Sequence, residues 1–368
     1  VPVYLQQLSV TNFRNYDKLR LEFSPQWNLL SGRNGGGKTT LLDAIHYLCL
    51  GKSYFHYSDS ASVRHESSFF RVEGEFVADN PIHMTCLYAS GGKKELQKNG
   101  NTYLRIADHV GVIPVVMVTP DDQLLIDEGS ENRRRFIDGT ISQIDHAYLE
   151  TLIEYNRILQ QRNSALRQFA ERNRINRALI ESYDTELAAR GMTIYRVRKE
   201  YFEEMYPLVR RYYEQLSSGA EEVSAGYESV CNSMSLPEAL KNSFEKDCIT
   251  HRSNEGIHRD DFDFFLNGRS LKKFGSQGQK KTFLMALKFS QYKLIRNRKN
   301  LEPILLLDDL FDKLDETRSE NIFNLIASNG FGQTFVTDTH SARFAGFISN
   351  HRVPFVHFSL PEITKQGS

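Results

Sequence analysis

The chain has 368 residues, with 46 Lys+Arg against 46 Asp+Glu, 40% hydrophobic and 25% charged residues. This composition excludes a disordered or collagen-like chain, and the length allows two domains or one large domain carrying an insertion. A formal charge of zero, taken alone, argues against a nucleic-acid partner, because binding a polyanion depends on neutralising phosphates with Lys and Arg. Cys49, Cys86, Cys231 and Cys248 are widely spaced with no C-x-x-C, so neither a disulfide framework nor a zinc site is expected, and a reducing cytoplasm fits best. No apolar run approaches the roughly 20 residues that cross a bilayer, and no basic-then-apolar leader opens the chain. A soluble, unexported protein with no membrane partner is the expectation.

In chain order, strand-like runs at Tyr4 to Val10, Lys18 to Phe23, Trp27 to Leu30 and Phe70 to Phe76 surround one helical stretch, Thr39 to Leu50. Met84 to Tyr88 and Glu95 to Leu104 read as further strands, with turn signals at Gly91-Gly92 and Asn99-Gly100. Val112 to Val118 suits a buried strand. After Pro120 the pattern changes. Between Glu131 and Tyr213 the only proline is Pro207, and Leu149, Leu152, Ile153, Ile158, Leu159 and Leu166 recur at helical spacing. Strands return at Phe262 to Leu266, Ile304 to Leu307, Thr334 to Thr337 and Pro354 to Phe358, with helices at Gly278 to Arg296 and Thr317 to Ser328. The reading is an α/β lobe made from both ends of the chain, residues 1–118 and 252–368, with a helical lobe inserted over 119–251.

Gly32-Arg33-Asn34-Gly35-Gly36-Gly37-Lys38-Thr39 fits G-x-x-x-x-G-K-[ST] between a strand and a helix, where a phosphate loop must sit. In such a loop, backbone N–H groups and the helix dipole face a triphosphate, Lys38 reaches the β/γ-phosphates and the Thr39 hydroxyl ligates Mg²⁺, so ATP and Mg²⁺ are the expected cofactors. Thr40 follows at the helix start. Ile304 to Leu307 is an apolar strand that runs into Asp308-Asp309, the Walker B pattern: Asp308 would hold Mg²⁺ and Asp309 would deprotonate the attacking water. An Asp is one methylene shorter than a Glu at the base position, so hydrolysis is expected to be slow. Adjacent acids after a strand could alone be a solvated turn; Lys38 weighs against that. Ser276-Gln277-Gly278-Gln279, after Phe274-Gly275 and before a helix, resembles the ABC-ATPase signature, whose Ser and Gly bind the γ-phosphate held by a partner subunit.

These motifs, with Leu8 to Tyr16, Pro120-Asp121-Asp122, Asn132 to Asp138, Gly256 to Asp261 and Leu307 to Asp315, resemble the RecF family. Arg33 and Gly36 are unusual for that family's Walker loop, Thr40 stands where Asn is frequent and Ile257 where Pro is common; none removes a phosphate ligand. The resemblance implies an ABC-type P-loop ATPase head, an ATP-sandwiched homodimer, and a weak, DNA-stimulated ATPase. It also implies sequence-independent binding to duplex and gapped DNA, work with RecR and indirectly RecO, and help in loading RecA. By position, Arg14 and Asn15 match the segment that contacts nucleotide and Asp315 the loop that couples two heads; the Q-loop falls around Asp121 to Gln123, its exact residue open, with Gln123 the candidate for serving Mg²⁺ and water. Asp338 and His340 remain alternatives for the γ-phosphate sensor. Two rivals are a transporter subunit, which lacks the N-F-R-N-Y opening and the G-x-H-R-D-D segment, and a chromosome-tethering SMC-type ATPase, whose long heptad run is absent.

Charge is segregated. Between Phe264 and Lys299 stand ten basic residues and no acid, while Leu301 to Glu320 holds seven acids and two bases. Lys281, Lys288 and others of the ten, Lys280 among them, fall on or beside the helix after the signature, which suits local contact with DNA phosphates; without the family resemblance a solvated helix face would be the favoured reading. Among lesser features, Arg133 to Arg135 could pair with Asp138 on the next turn, and Tyr155, Tyr183 and Tyr195 are read as core. His258 is as suited to a structural as to a functional role.

Overall fold

The computed structural model describes residues 3–172, 176–217, 219, 221–309, 316–328, 330–338 and 354–360. The chain divides into two compact units, one of Val1–Asp122, Tyr212–Gly219 and Met285–Ser368, the other of Gln123–Arg211 and Ala220–Leu284.

The first unit holds two sheets of different character. Trp27–Ser31, Val115–Val118, Ile304–Leu307 and Thr334–Asp338 are buried at every residue, as strands covered on both faces must be. They form a five-stranded parallel sheet in the order Phe355–Ser359, Trp27–Ser31, Thr334–Asp338, Ile304–Leu307, Val115–Val118. Phe69–Val77 instead alternates buried and open residues, the mark of an antiparallel strand with one wet face. It belongs to a six-stranded sheet ordered Tyr16–Glu22, Tyr4–Phe13, Phe69–Val77, Ile82–Ala89, Glu95–Lys98, Asn101–Thr102. The last two strands turn through Asn99 and Gly100, both at positive φ (51° and 78°), the backbone a tight I′ hairpin requires.

The helix Lys38–Leu50 is apolar nearly all round and packs against strands of both sheets, sharing one core with Leu5, Leu30, Phe70, Val115 and Ile304. Gln333 ties the sheets polar to polar. Its amide accepts from Leu5 N (2.8 Å) and donates to Leu5 O (2.7 Å), where the first strand has a register break between Leu5 and Gln7.

The second unit combines the helices Ser130–Ile144, His146–Arg172 and Leu236–Thr250 and most of Arg177–Ser217 with a three-stranded antiparallel sheet. In that sheet Asp261–Leu266 lies between Val223–Glu228 and Arg269–Ser270. The unit therefore extends through Leu284 rather than stopping at residue 251, and Tyr212–Gly219 joins the first unit. Pairing explains the extension: Asp261–Leu266 bonds to Val223–Glu228, a strand lying inside the segment read as helical. Buried arginines add to it. The Arg198 guanidinium holds Asp138 through two bonds of 2.9 Å and Asp260 at 3.0 Å, and donates to Ile257 O at 2.7 Å. Arg162 holds Asp184 and Asp247 at 2.6 and 2.7 Å. No described helix is long and apolar enough to cross a membrane.

Candidate functional site

In an open parallel sheet, ligands bind beyond the carboxyl ends of the strands. Here four strand ends lie side by side: Ser31 pairs in register with Asp338, and Leu307 with both Val336 and Val118. The chain leaving Ser31 becomes the Gly-rich loop, and the chain leaving Leu307 becomes Asp308-Asp309. The two halves of the phosphate motif, with Thr39 and Asp308 269 positions apart in the chain, thus meet at one edge.

The loop's backbone depends on glycine where it turns into the helix. Gly37 has φ 89°, and a Cβ there would fall 2.5 Å from the Tyr16 hydroxyl. Gly37 is also the N-cap of Lys38–Leu50, with no side chain capping it and no acid in the first turn. The first N–H groups of that helix are therefore left for an anion, which the helix dipole favours. Lys38 is buried, and its ammonium folds back on the carbonyls of Gly32 (2.8 Å) and Arg33 (3.1 Å). Arg33, Asn34 and Gly35 are exposed at the crest of the loop, and Thr40 is half-buried on the first turn.

The Thr39 hydroxyl contacts both oxygens of Asp308, at 2.8 and 3.0 Å. Thr337 bridges the two acids: its hydroxyl donates to Asp308 (2.8 Å) and accepts from the Asp309 N–H (2.8 Å). Burial pushes the Asp308 carboxyl up to about 6, against the pull of the Thr337 and Thr39 bonds; Asp309 adds to the rise and Lys38 opposes it. The Thr39 hydroxyl and the desolvated Asp308 carboxyl are hard oxygen donors of the kind Mg²⁺ takes, and the uncapped helix N-terminus offers N–H groups of the kind phosphate takes. Asp309 has φ 41°, in the left-handed region that Asp tolerates better than most residues.

Asn15 and Arg14 border this loop. The Asn15 amide nitrogen lies 3.0 Å from where a Gly37 Cβ would stand. Arg14 pairs with Asp43 of the P-loop helix, donates to Ser53 Oγ (2.9 Å) and lies over the Tyr57 ring at 4.4 Å. Arg14 Nε and Asn15 Oδ1 are buried without a hydrogen-bond partner. Native structures rarely leave such atoms unsatisfied, so a polar ligand at the loop fits the residues present.

The signature residues fold as a reciprocal helix cap. Ser276 Oγ accepts from the Gln279 N–H (3.2 Å), and the Gln279 side chain accepts from the Ser276 N–H (2.7 Å). Ser276 and Gln277 are exposed, and Gly278 is half-buried, at the start of the 23-residue helix Gln277–Lys299. They lie in the second unit, while Lys38, Thr39, Asp308 and Asp309 lie in the first. Gln123 also belongs to the second unit; its amide donates to Asp127 (2.9 Å) and to Gln277 (2.6 Å). Asp338 is buried at the end of its strand. Asp315 and His340 lie outside the described residues.

Several expectations change. Lys288 is buried against Asp122 (2.8 Å), and Lys280 is bonded to Asp127 (2.7 Å), so these two lysines do not offer surface charge to a polyanion. Arg269, Lys272, Lys273 and Arg298 of the same stretch are exposed. Arg133 pairs with Asp261 at 2.7 Å, because Asp138 is taken by Arg198. His258 is structural: its Nε2 donates to Ser253 O (3.2 Å), which leaves Nδ1 to accept from Tyr155 (3.0 Å), and burial lowers its pKa to about 4. Tyr155 and Tyr195 are buried. Sequence reasoning gave Thr337 no role; the signal was its place beside Asp338 at the end of the strand Thr334–Asp338.

The family model of the RecF/RecN/SMC N-terminal domain matches residues 4–357. The chain is 38% identical over 359 residues to the DNA replication and repair protein RecF of Flavobacterium johnsoniae, covering 97% of this chain and 100% of that one. It is 40% identical over 338 residues to RecF of Bacteroides thetaiotaomicron, with 91% of each chain covered. Among solved structures, the recombination mediator RecF–ATP of the RecFOR pathway is similar with a TM-score of 0.85 at 32% identity, covering 92% of each chain. The Smc head domain of Pyrococcus furiosus bound to ScpA is similar with a TM-score of 0.55 at 18% identity, covering 93% of this chain and 91% of that one. The fold is that of an ABC-type ATPase head.

Proposed function

The chain belongs to the RecF family, and on that premise we propose that it is an ATP-binding and slowly ATP-hydrolysing head that pairs with a second copy of itself and binds DNA. The carrying observation is the Thr39–Asp308 contact of 2.8 Å beside an uncapped helix N-terminus, since it brings the two halves of a nucleotide site together. Mg²⁺, when bound, neutralises charge that develops on the transferred phosphoryl group. Thr39 and Asp308 would hold it. Lys38 exchanges two backbone carbonyls for phosphate oxygens, and the first N–H groups of Lys38–Leu50 bind the same phosphates. Asp309 accepts a proton from the attacking water. Asn15 and Arg14 turn their unpartnered atoms to the nucleotide. Ser276, Gln277, Gly278 and Gln279, with Asp315 coupling the heads, serve the γ-phosphate of the partner copy's nucleotide.

Gln123 is proposed to join Mg²⁺ and water only on leaving Asp127 and Gln277, and the γ-phosphate sensor is Asp338 or His340. In this reading ATP closes a dimer on duplex DNA near a single-strand gap, DNA stimulates the slow hydrolysis that reopens it, and the protein acts in the cytoplasm with RecR, and through RecO and RecA, in repair. The exposed Arg269, Lys272, Lys273 and Arg298 are the candidates for phosphate contact. Lys38→Ala tests the reading: ATP affinity should fall at least about 100-fold, a loss near 2.7 kcal/mol, as read by calorimetry. Unchanged ATP binding in that variant would remove the loop from nucleotide binding.

A further inference from the structure

The outward face of the helix His146–Arg172, in the second unit, takes no part in the chemistry above. Tyr155, Ile158, Arg162 and Leu166 are buried at three- and four-residue spacing, which leaves the opposite side to solvent. On that side stand Arg157, Gln160, Gln161, Ser164, Arg167 and Gln168, again at three- and four-residue steps, so they form one stripe; all are exposed except the half-buried Ser164. The stripe differs from an ordinary solvated helix face in three ways. It holds no acid, since none occurs between Glu154 and Glu171, whereas exposed helices commonly intersperse both signs. Its cations are arginines, and no lysine stands anywhere between Lys98 and Lys199. Its donors are also unspent. Arg167 meets only the Ser164 hydroxyl (3.3 Å), and Arg157, Gln160, Gln161 and Gln168 have no hydrogen-bond or ion-pair partner among the described residues. The neighbouring acids are already paired: Arg162 takes Asp184 of the adjoining helix Arg177–Ser217 at 2.6 Å, Glu154 and Glu186 share Arg190, and Glu181 pairs with Arg177 at 3.1 Å.

We propose that this stripe is a contact face for the phosphate backbone of duplex DNA, additional to the exposed basic residues named above. The inference rests on the DNA-binding reading. Guanidinium forks and side-chain amides are donors that protein–DNA interfaces direct at phosphate oxygens, where they fix position without reading sequence. Arg157 and Arg167 are ten residues apart, about 15 Å along the helix axis at 1.5 Å per residue, or roughly four phosphate steps of 3.4 Å on one strand. An acidic protein partner fits less well. Protein–protein interfaces are built around an apolar or aromatic core, and the stripe itself has no apolar residue, Ile153 standing one turn before it. The chain's zero net charge is no obstacle, because the field that a strand meets is local.

The double variant Arg157→Gln, Arg167→Gln removes both charges at exposed positions and keeps an amide at each. The control is Arg105→Gln, Arg135→Gln, the same loss of net charge at exposed arginines already paired with Asp108 and Glu131. Binding of a mixed-sequence duplex to the unsubstituted chain and to both double variants is followed by fluorescence anisotropy with ATP across a salt series, alongside thermal midpoint and ATP affinity. The expected result for the face variant is a log–log salt slope shallower by about 1.8 and an affinity about 60-fold lower at 0.1 M salt, the loss of two phosphate contacts at about 0.9 each. Its midpoint and ATP affinity should be unchanged, and the control should bind like the unsubstituted chain. A face variant that keeps the full salt slope overturns the inference, and so does a control that loses as much, which would make net charge the cause. A face variant that keeps DNA but no longer binds poly-glutamate, used as an acidic-polypeptide probe, overturns it in favour of a protein partner. If the unsubstituted chain binds no duplex, the DNA-binding reading itself falls, and the inference with it.

Discussion

Arg198 and Lys38 are both buried cations, 1% and 5% exposed, and their surroundings differ in kind. Every nitrogen of the Arg198 guanidinium has a partner, and two of its partners are the carboxylates of Asp138 and Asp260. Lys38 is bonded to backbone carbonyls of its own loop, and its neighbours Arg14 and Asn15 keep buried atoms with no partner. The first arrangement is closed: any change costs a charged hydrogen bond. The second is open, because a phosphate offers Lys38 better acceptors than carbonyls and satisfies atoms that the protein leaves unmet. The contrast separates a cation whose partners hold the fold from the one that the proposed function assigns to a ligand.

Substitutions can break this contrast. Asp309→Asn should show the largest effect, lowering ATP turnover about 10²- to 10⁴-fold, as loss of a general base does, while ATP binding persists; a rapidly turning-over variant would take Asp309 out of the base role. Arg198→Leu should cost about 3–5 kcal/mol of stability in urea unfolding by leaving the buried Asp260 and the half-buried Asp138 without their cation. A loss no larger than that of Lys38→Ala would erase the distinction between the two cations.

The most gradual effect concerns pH. His258 stays neutral in the folded protein down to about 4, whereas the unfolded chain takes up a proton near 6.5. The unfolded state then binds more protons, so the His258 contribution to stability should fall as pH drops from about 6.5 to about 4, by roughly 1.4 kcal/mol per unit, and level off below that. His46, lowered to about 3 by burial, acts in the same direction. His258→Gln should flatten the slope of stability against pH; an unchanged slope would assign the acid sensitivity elsewhere.

The open site was legible in the sequence and the closed one was not. Lys38, Thr39 and the Asp308-Asp309 pair announce themselves because a phosphate loop demands glycines and a lysine at set spacing, and because two acids ending an apolar strand conflict with its burial. Arg198 has partners 60 and 62 positions away, and Tyr54 and Lys288 are 234 apart, so no local pattern joins them. Charge counting misread Lys280 and Lys288 for the same reason: composition records that a lysine is present, not that an aspartate is folded against it. The strand Val223–Glu228 was hidden by its half-buried, weakly alternating residues and by Gly226.

The central claim is that nucleotide joins two copies of this chain through Ser276. It is tested most directly by solution mass from light scattering, on the unsubstituted chain and on Ser276→Arg, each with ATP, with ADP and with no nucleotide. Monomers without nucleotide and with ADP, dimers with ATP, and a Ser276→Arg chain that binds ATP yet stays monomeric are the predicted results. A mass indifferent to nucleotide, or a Ser276→Arg chain that pairs as before, would contradict the account.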